Sequence, residues 1–248
     1  MSTDNLCIWS QVDKTDPRYT KNAKVGGQDI TSINGTAMVM KATELFGPVG
    51  IGWGWKILEE RFDEGHEIYA GEGDKRVCIG REIGHTLKIC FWYVQKGQRG
   101  EIEQYGCTRY QYKTGYGMTT DGEAPKKSLT DAIKKALSML GFSADVFLGL
   151  FDDSEYVQQR QEETAIEVAE DKAAEQEKQK QERLEWLRSA VETMAGAVTL
   201  HELKSLNTKY VRSATARNET NFLRRLAEAY EVRQVELKAK AVDQGAAA

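Results

Sequence analysis

The chain has 248 residues and a mass of 27.9 kDa, with 40% hydrophobic and 29% charged residues and a formal net charge of -4. No run approaches the roughly 18 consecutive apolar residues that a membrane span requires, and the start lacks the basic-then-apolar layout of a signal peptide, so a cytoplasmic protein is expected. An acidic total argues against a nucleic-acid partner, because phosphate binding runs on Lys and Arg, yet residues 1–150 hold 19 of the 34 basic and 19 of the 38 acidic side chains.

The deficit therefore falls after residue 150, and a neutral domain can bind DNA if its cations line one groove while its acids face elsewhere. In chain order, Lys14, Arg18, Lys21 and Lys24 precede a Gly26-Gly27 turn, and with Ile30 to Ile33 they predict a basic loop running into a helix start. Met38, Ala42, Leu45 and Phe46 recur at helical spacing until Gly47-Pro48 ends the pattern, which predicts a short helix.

Segments 51–62, 76–83, 85–95 and 101–112 are rich in aromatic and β-branched residues. Gly-containing turns at 63–65, 71–74 and 96–100 separate them, so they predict an antiparallel meander with a helix over one face. Residues 125–142 supply that helix. Leu129, Ile133, Ala136, Leu137 and Leu140 form its apolar stripe, Ser128 is the expected N-cap with Asp131 three residues on, and Gly141 ends it. Lys126, Lys127, Lys134 and Lys135 project from the remaining surface, and a further apolar stretch, Val146 to Phe151, ends at Asp152-Asp153.

The expected fold class is α+β, an antiparallel β-meander packed on helices within residues 1–155. Residues 156–183 lack Gly and Pro and are dominated by Gln, Glu, Lys and Ala, which predicts a charged linker, helical or disordered. Helical spacing resumes at Leu184, Leu187, Val191, Met194 and Val198. Thr199 with Glu202 reads as a capping box before Leu203, Leu206 and Tyr210, and Phe222, Leu223, Leu226, Tyr230 and Leu237 outline a third helix. Residues 184–240 are thus expected to form a small helical bundle, and 241–248 a disordered tail.

The dipeptide Gly-Lys occurs nowhere, which excludes a phosphate-binding P-loop. The glycine cluster at 47–55 is followed by strand-type residues rather than a helix, so a tight helix-to-strand turn explains it better than a dinucleotide cradle. Cys7, Cys78, Cys90 and Cys107 are widely spaced and read as reduced, mostly buried thiols. His66, His85 and His201 stand apart from one another and read as surface or strand residues. The adjacent acids Glu59-Glu60 and Asp152-Asp153 read as capping and solvated charge; a nuclease built on Asp152, Asp153 and Glu155 is the enzymatic alternative. No cofactor, metal or catalytic group is expected. What remains is two lysine clusters, at 21–24 and 126–135, flanking an aromatic-rich meander, the composition of a groove for single strands.

Two stretches resemble a known family. Residues 18–47 (RYTKNAKVGGQDITSINGTAMVMKATELFG) resemble the start of the annealing domain of the eukaryotic Rad fifty-two proteins, with Gly26, Gly27, Gln28, Ile33, Gly35, Glu44, Phe46 and Gly47 in matching order. Residues 128–157 (SLTDAIKKALSMLGFSADVFLGLFDDSEYV) resemble that family's Thr-Asp helix and the apolar run after it. Phage annealing proteins of the Sak, Erf and Red-beta kinds are regarded as relatives of the same family. The resemblance implies a homo-oligomer, ring or helical filament, with single-stranded DNA in a basic groove and ATP-independent pairing of complementary strands through an annealed duplex intermediate.

It carries the family's groove cations onto Lys134 and Lys135. The third cation of that helix falls on Ser138 and the basic-loop arginine on Asn22, with Lys21 and Lys24 beside it. Expected DNA contacts are therefore Lys21, Lys24, Lys126, Lys127, Lys134 and Lys135. The C-terminal bundle is similar in kind to tails that recruit a host single-strand-binding protein or a phage exonuclease, and Arg212, Arg217, Arg224 and Arg225 are the expected receivers of an acidic peptide. The alternative function is a non-annealing protein that protects single-stranded DNA or RNA.

Overall fold

The structure, a computed structural model, describes residues 5–25, 27–71 and 73–246. The chain divides into two compact units, Met1–Gly149 and Leu150–Ala248.

In the first unit a one-turn helix α1 (Trp9–Val12) leads into the strands β1 (Thr20–Val25) and β2 (Gln28–Ile33), which pair antiparallel with Lys21 opposite Ser32 and Lys24 opposite Asp29. The expected basic loop is thus a hairpin. Pairing satisfies backbone groups that a loop would leave to water, and Gly27 at φ 86 helps reverse the chain; Gly26 of the expected turn lies outside the described residues. Helix α2 (Gly35–Phe46) appears where the spacing predicts it. The Asn34 side chain accepts the Thr36 N–H at its start, and Met38, Ala42 and Phe46 are buried.

The strands β3 (Trp53–Ala70), β4 (Val77–Gln95), β5 (Gln98–Thr114) and β6 (Gly117–Thr120) form one antiparallel sheet in sequence order. Two expected breaks are absent. β3 passes through 63–65 with a register shift between Glu64 and Glu67, and β4 passes through Gly84 without ending. Gly65 marks a close approach and not a turn, since a Cβ there would lie 3.2 Å from the Glu82 Cβ.

Helix α3 (Ala124–Met139) covers one face. It starts four residues before the expected N-cap, because Pro125 suits a first helical turn, and Ser128 is buried within the helix. Gly106 of β5 lets helix and sheet meet: a Cβ there would stand 1.9 Å from the Ser128 carbonyl oxygen. Between the layers lies one apolar core of Leu87, Ile89 and Phe91 from the sheet, Ala132, Ile133, Ala136 and Leu137 from α3, and Met38 and Phe46 from α2. Helix α4 (Ala144–Phe147) follows, anchored by the buried Asp145 carboxylate, which accepts the Thr15 N–H at 2.7 Å and the Thr15 hydroxyl at 2.5 Å. The cysteines are free but not mostly buried: Cys78 and Cys107 are exposed, Cys7 and Cys90 partly so, because the outer sheet face and its far end lie outside the core.

The second unit contains α5 (Ser154–Val168), α6 (Lys172–Gly196), α7 (Leu200–Ala216) and α8 (Thr220–Ala246). Leu187, Met194, Leu203, Ala214, Leu226 and Leu237 form its core. Thr199 caps α7 as expected by accepting the Glu202 N–H, while the Glu202 carboxylate reaches one residue beyond the capping-box partner and accepts the Val198 N–H at 2.8 Å. The expected boundary at 155 falls inside α5. Residues 156–183 are helical apart from a short break, and they belong to this unit through polar bonds in place of an apolar face. Arg217 is bidentate to Glu162, and Gln179 donates to the Glu162 carbonyl at 3.0 Å. Helix α8 runs through most of the expected tail; Ala247 and Ala248 lie outside the described residues. Among the described residues no helix is long and apolar enough to cross a membrane.

Candidate nucleic-acid interface

The seat of α3 decides where its lysines stand. Beneath it, His85 of β4 is fully buried, with Nδ1 2.9 Å from the Ser128 hydroxyl and Nε2 3.0 Å from a Glu60 carboxylate oxygen. A carboxylate only accepts, so Nε2 carries a proton and donates to Glu60. The order Ser-His-Glu is that of a hydrolase triad, yet the serine and imidazole are sealed from any substrate. The chain of bonds instead fixes the rotation of α3 on the sheet. Sequence reading missed it, since residues 60, 85 and 128 come together only when β3, β4 and α3 are stacked.

On the outward side, Lys126, Lys127, Thr130, Asp131 and Lys134 line one shallow cleft. Lys126 pairs with Glu123 at 2.8 Å and Lys127 with Asp121 at 2.5 Å. The Lys127 bond holds the Asp121 carboxyl below its usual range and raises the lysine above its own. Lys134 differs. Its half-buried stem passes Gly35, where a Cβ would lie 3.6 Å from the Lys134 Cδ, and its ammonium donates to the Ile33 carbonyl at the end of β2, at 2.9 Å. Burial lowers the Lys134 pKa, and the positive charges of Lys21 and Lys135 push it the same way against Asp131.

Lys21 therefore lies within electrostatic reach of Lys134, on the β1 residue opposite Ser32. Lys135 is exposed, its ammonium 5.6 Å from the centre of the Phe147 ring. Among the described residues, Lys21, Lys134 and Lys135 form no ion pair. Lys24 is three positions from Lys21 along the strand, an odd step that turns it to the other face of the hairpin. So of the six expected DNA-contacting lysines, Lys21, Lys134 and Lys135 converge, Lys126 and Lys127 extend the same helix face with carboxylate partners, and Lys24 stands apart.

The outer sheet face carries cations of another kind. Lys88 pairs with Glu103 at 2.6 Å, Arg99 with Glu101 at 2.9 Å, and Arg61 with Asp63 at 2.8 Å and with Glu59. These three are neutralised across or along the strands, whereas Lys56 and Arg109, exposed on the same sheet, form no ion pair among the described residues.

No protein-family model matches the chain, and no curated protein matches it.

In the second unit the expected peptide-binding arginines are unequal. Arg217 is only 9% exposed and both its terminal nitrogens hold Glu162, so it is structural and not a docking group. Arg212 and Arg224 are exposed, each with a carboxylate 3.8 Å away. Arg225 lines a groove between α6 and α8 floored by Leu184, Leu187, Val191 and Val232, which Arg188, absent from the sequence reading, also lines. Asp153 caps α5 by accepting the Glu155 N–H, and Glu155 accepts the Ser213 hydroxyl at 3.0 Å. Among the described residues, no three His, Cys, Asp or Glu side chains are grouped to hold a metal ion.

Proposed function

We propose that the protein binds single-stranded DNA along α3 and the β1–β2 hairpin and pairs complementary strands without ATP, as a ring or filament of identical subunits. The reading is supported by one observation above others: Lys21, from a segment more than a hundred residues away in the chain, comes within electrostatic reach of Lys134, as Lys135 does, three lysines without an ion pair among the described residues that have the Asp131 carboxylate beside them. Phosphates attract such a cluster, while the ion-paired Lys88, Arg99 and Arg61 of the sheet offer them little. The resemblance of residues 18–47 and 128–157 to the Rad-fifty-two-like annealing proteins points the same way, because both stretches meet at this surface.

In this reading the work is physical. Lysines hold one strand by its phosphates, its bases stay available, and an incoming strand samples registers until pairing stabilises the duplex. Base pairing supplies the specificity, so the protein needs no reading of base edges. The activity belongs in the cytoplasm. The helical unit serves as the recruiting module, for a single-strand-binding protein or an exonuclease, through Arg212, Arg224 and Arg225.

The test is to mix complementary oligonucleotides with the purified protein and no nucleotide. Faster duplex formation is expected, with a multimer visible in electron micrographs. Slower duplex formation would mark a non-annealing protective binder, and no binding of single strands would end the proposal.

A further inference from the structure

Three of the four residues of α4, Ala144, Asp145 and Val146, are buried, but its last, Phe147, is 44% exposed. Exposure of a single apolar side chain is ordinary; what sets Phe147 apart is how its helix is held and which cation stands beside it. That position is fixed. The Asp145 bonds to Thr15 pin the helix, the Phe147 N–H donates to the Ser143 carbonyl at 3.3 Å, and α4 packs beside β2, the strand whose last carbonyl holds Lys134. The Lys135 ammonium stands 5.6 Å from the ring centre, close to the outer limit of about 6 Å for a cation–π contact, so it gives up little by turning to a phosphate. A flexible cation and a flat ring on a pinned helix therefore sit side by side, at the edge of the Lys21–Lys134–Lys135 cluster.

We propose that Phe147 is a stacking platform for an unpaired nucleobase whose phosphate is held by Lys135. This rests on the single-strand-binding reading above and adds to it a contact with the base. Stacking is tolerant of sequence, because every base has a flat face, and so it suits a protein that must hold any strand. It also holds a base open to one partner at a time, since the platform is a single ring.

Equilibrium binding of the full chain to two probes tests the idea: a mixed-sequence oligonucleotide, and one of equal length built from abasic residues. The native protein is expected to prefer the first. Phe147→Leu should weaken binding of the first probe roughly ten-fold and leave the second unchanged, without altering the salt dependence, and Phe147→Tyr should restore the preference. Equal weakening of both probes, or of neither, overturns the platform. So does loss of self-association by Phe147→Leu in sedimentation, which would make the ring a contact between copies. A native protein that binds neither probe fails earlier, at the single-strand-binding reading itself.

Discussion

The outer face of the sheet and the face made by α3 with the β1–β2 hairpin both carry lysine or arginine in quantity, and they differ in what most of those cations touch, Lys56 and Arg109 of the sheet being without an ion pair among the described residues. On the sheet, Lys88, Arg99 and Arg61 each meet a carboxylate. At the hairpin, Lys134 meets a carbonyl and Lys135 an aromatic ring, with Lys21 nearby. The contrast explains why a formal charge of -4 says little about phosphate binding: what counts is the charge left over after local pairing.

The strongest way to break the contrast is to lift α3 from its seat. Gly106→Ala places a Cβ 1.9 Å from the Ser128 oxygen and 2.7 Å from the Ala132 nitrogen. A loss of about 3 kcal/mol or more is expected in urea unfolding, because backbone must move to admit it. Next comes Lys134→Ala with Lys135→Ala, which should lower single-strand affinity and flatten the log–log salt slope by about 1.4, about 0.7 for each lost phosphate contact. An unchanged slope in the folded double variant would remove these lysines from the interface.

A smaller effect concerns pH. Lys134 is depressed below the ordinary lysine range by burial, so it loses its proton at lower pH than an exposed lysine. As the protonated form is the one that attracts phosphate, affinity should begin to fall with rising pH before the exposed lysines titrate. Lys134→Arg, charged throughout, should abolish that early limb; a profile identical in the two proteins would contradict it. The smallest effect is expected on the sheet: Arg61→Ala should leave affinity and salt slope for single strands as they are. A slope change there equal to that of the lysine pair would erase the distinction between the two faces.

Much of this architecture is legible in the residues. The spacing of Met38, Ala42 and Phe46 gives α2, the aromatic and β-branched runs give the meander, and the stripe from Leu129 to Leu140 gives the buried side of α3. Local punctuation misleads where tertiary pairing overrides it. Gly65 reads as a turn but lies within a long strand, Gly84 separates two expected segments that form one strand, and Ser128 reads as a cap but serves as a buried partner of His85. The hairpin at 20–33 is hidden because its strands are polar and its sheet has only two of them. The packing of 156–183 is hidden because polar bonds such as Arg217 to Glu162 leave no apolar periodicity to read. Of the candidate site, the lysines were legible but not which of them converge, since Lys21 reaches Lys134 only once β2 ends at α3.

The bond from Lys134 to the Ile33 carbonyl has a thermodynamic consequence. A lysine on a bare surface forfeits rotamer freedom, worth up to about 2 kcal/mol, when an anion immobilises it. Lys134 has already surrendered most of that freedom in folding, and two of its three ammonium hydrogens still face outward from the carbonyl it holds. An anion arriving there meets a preorganised donor, so its attraction is less diluted by entropy than at Lys126 or Lys127, whose ammonium groups must first be withdrawn from a carboxylate.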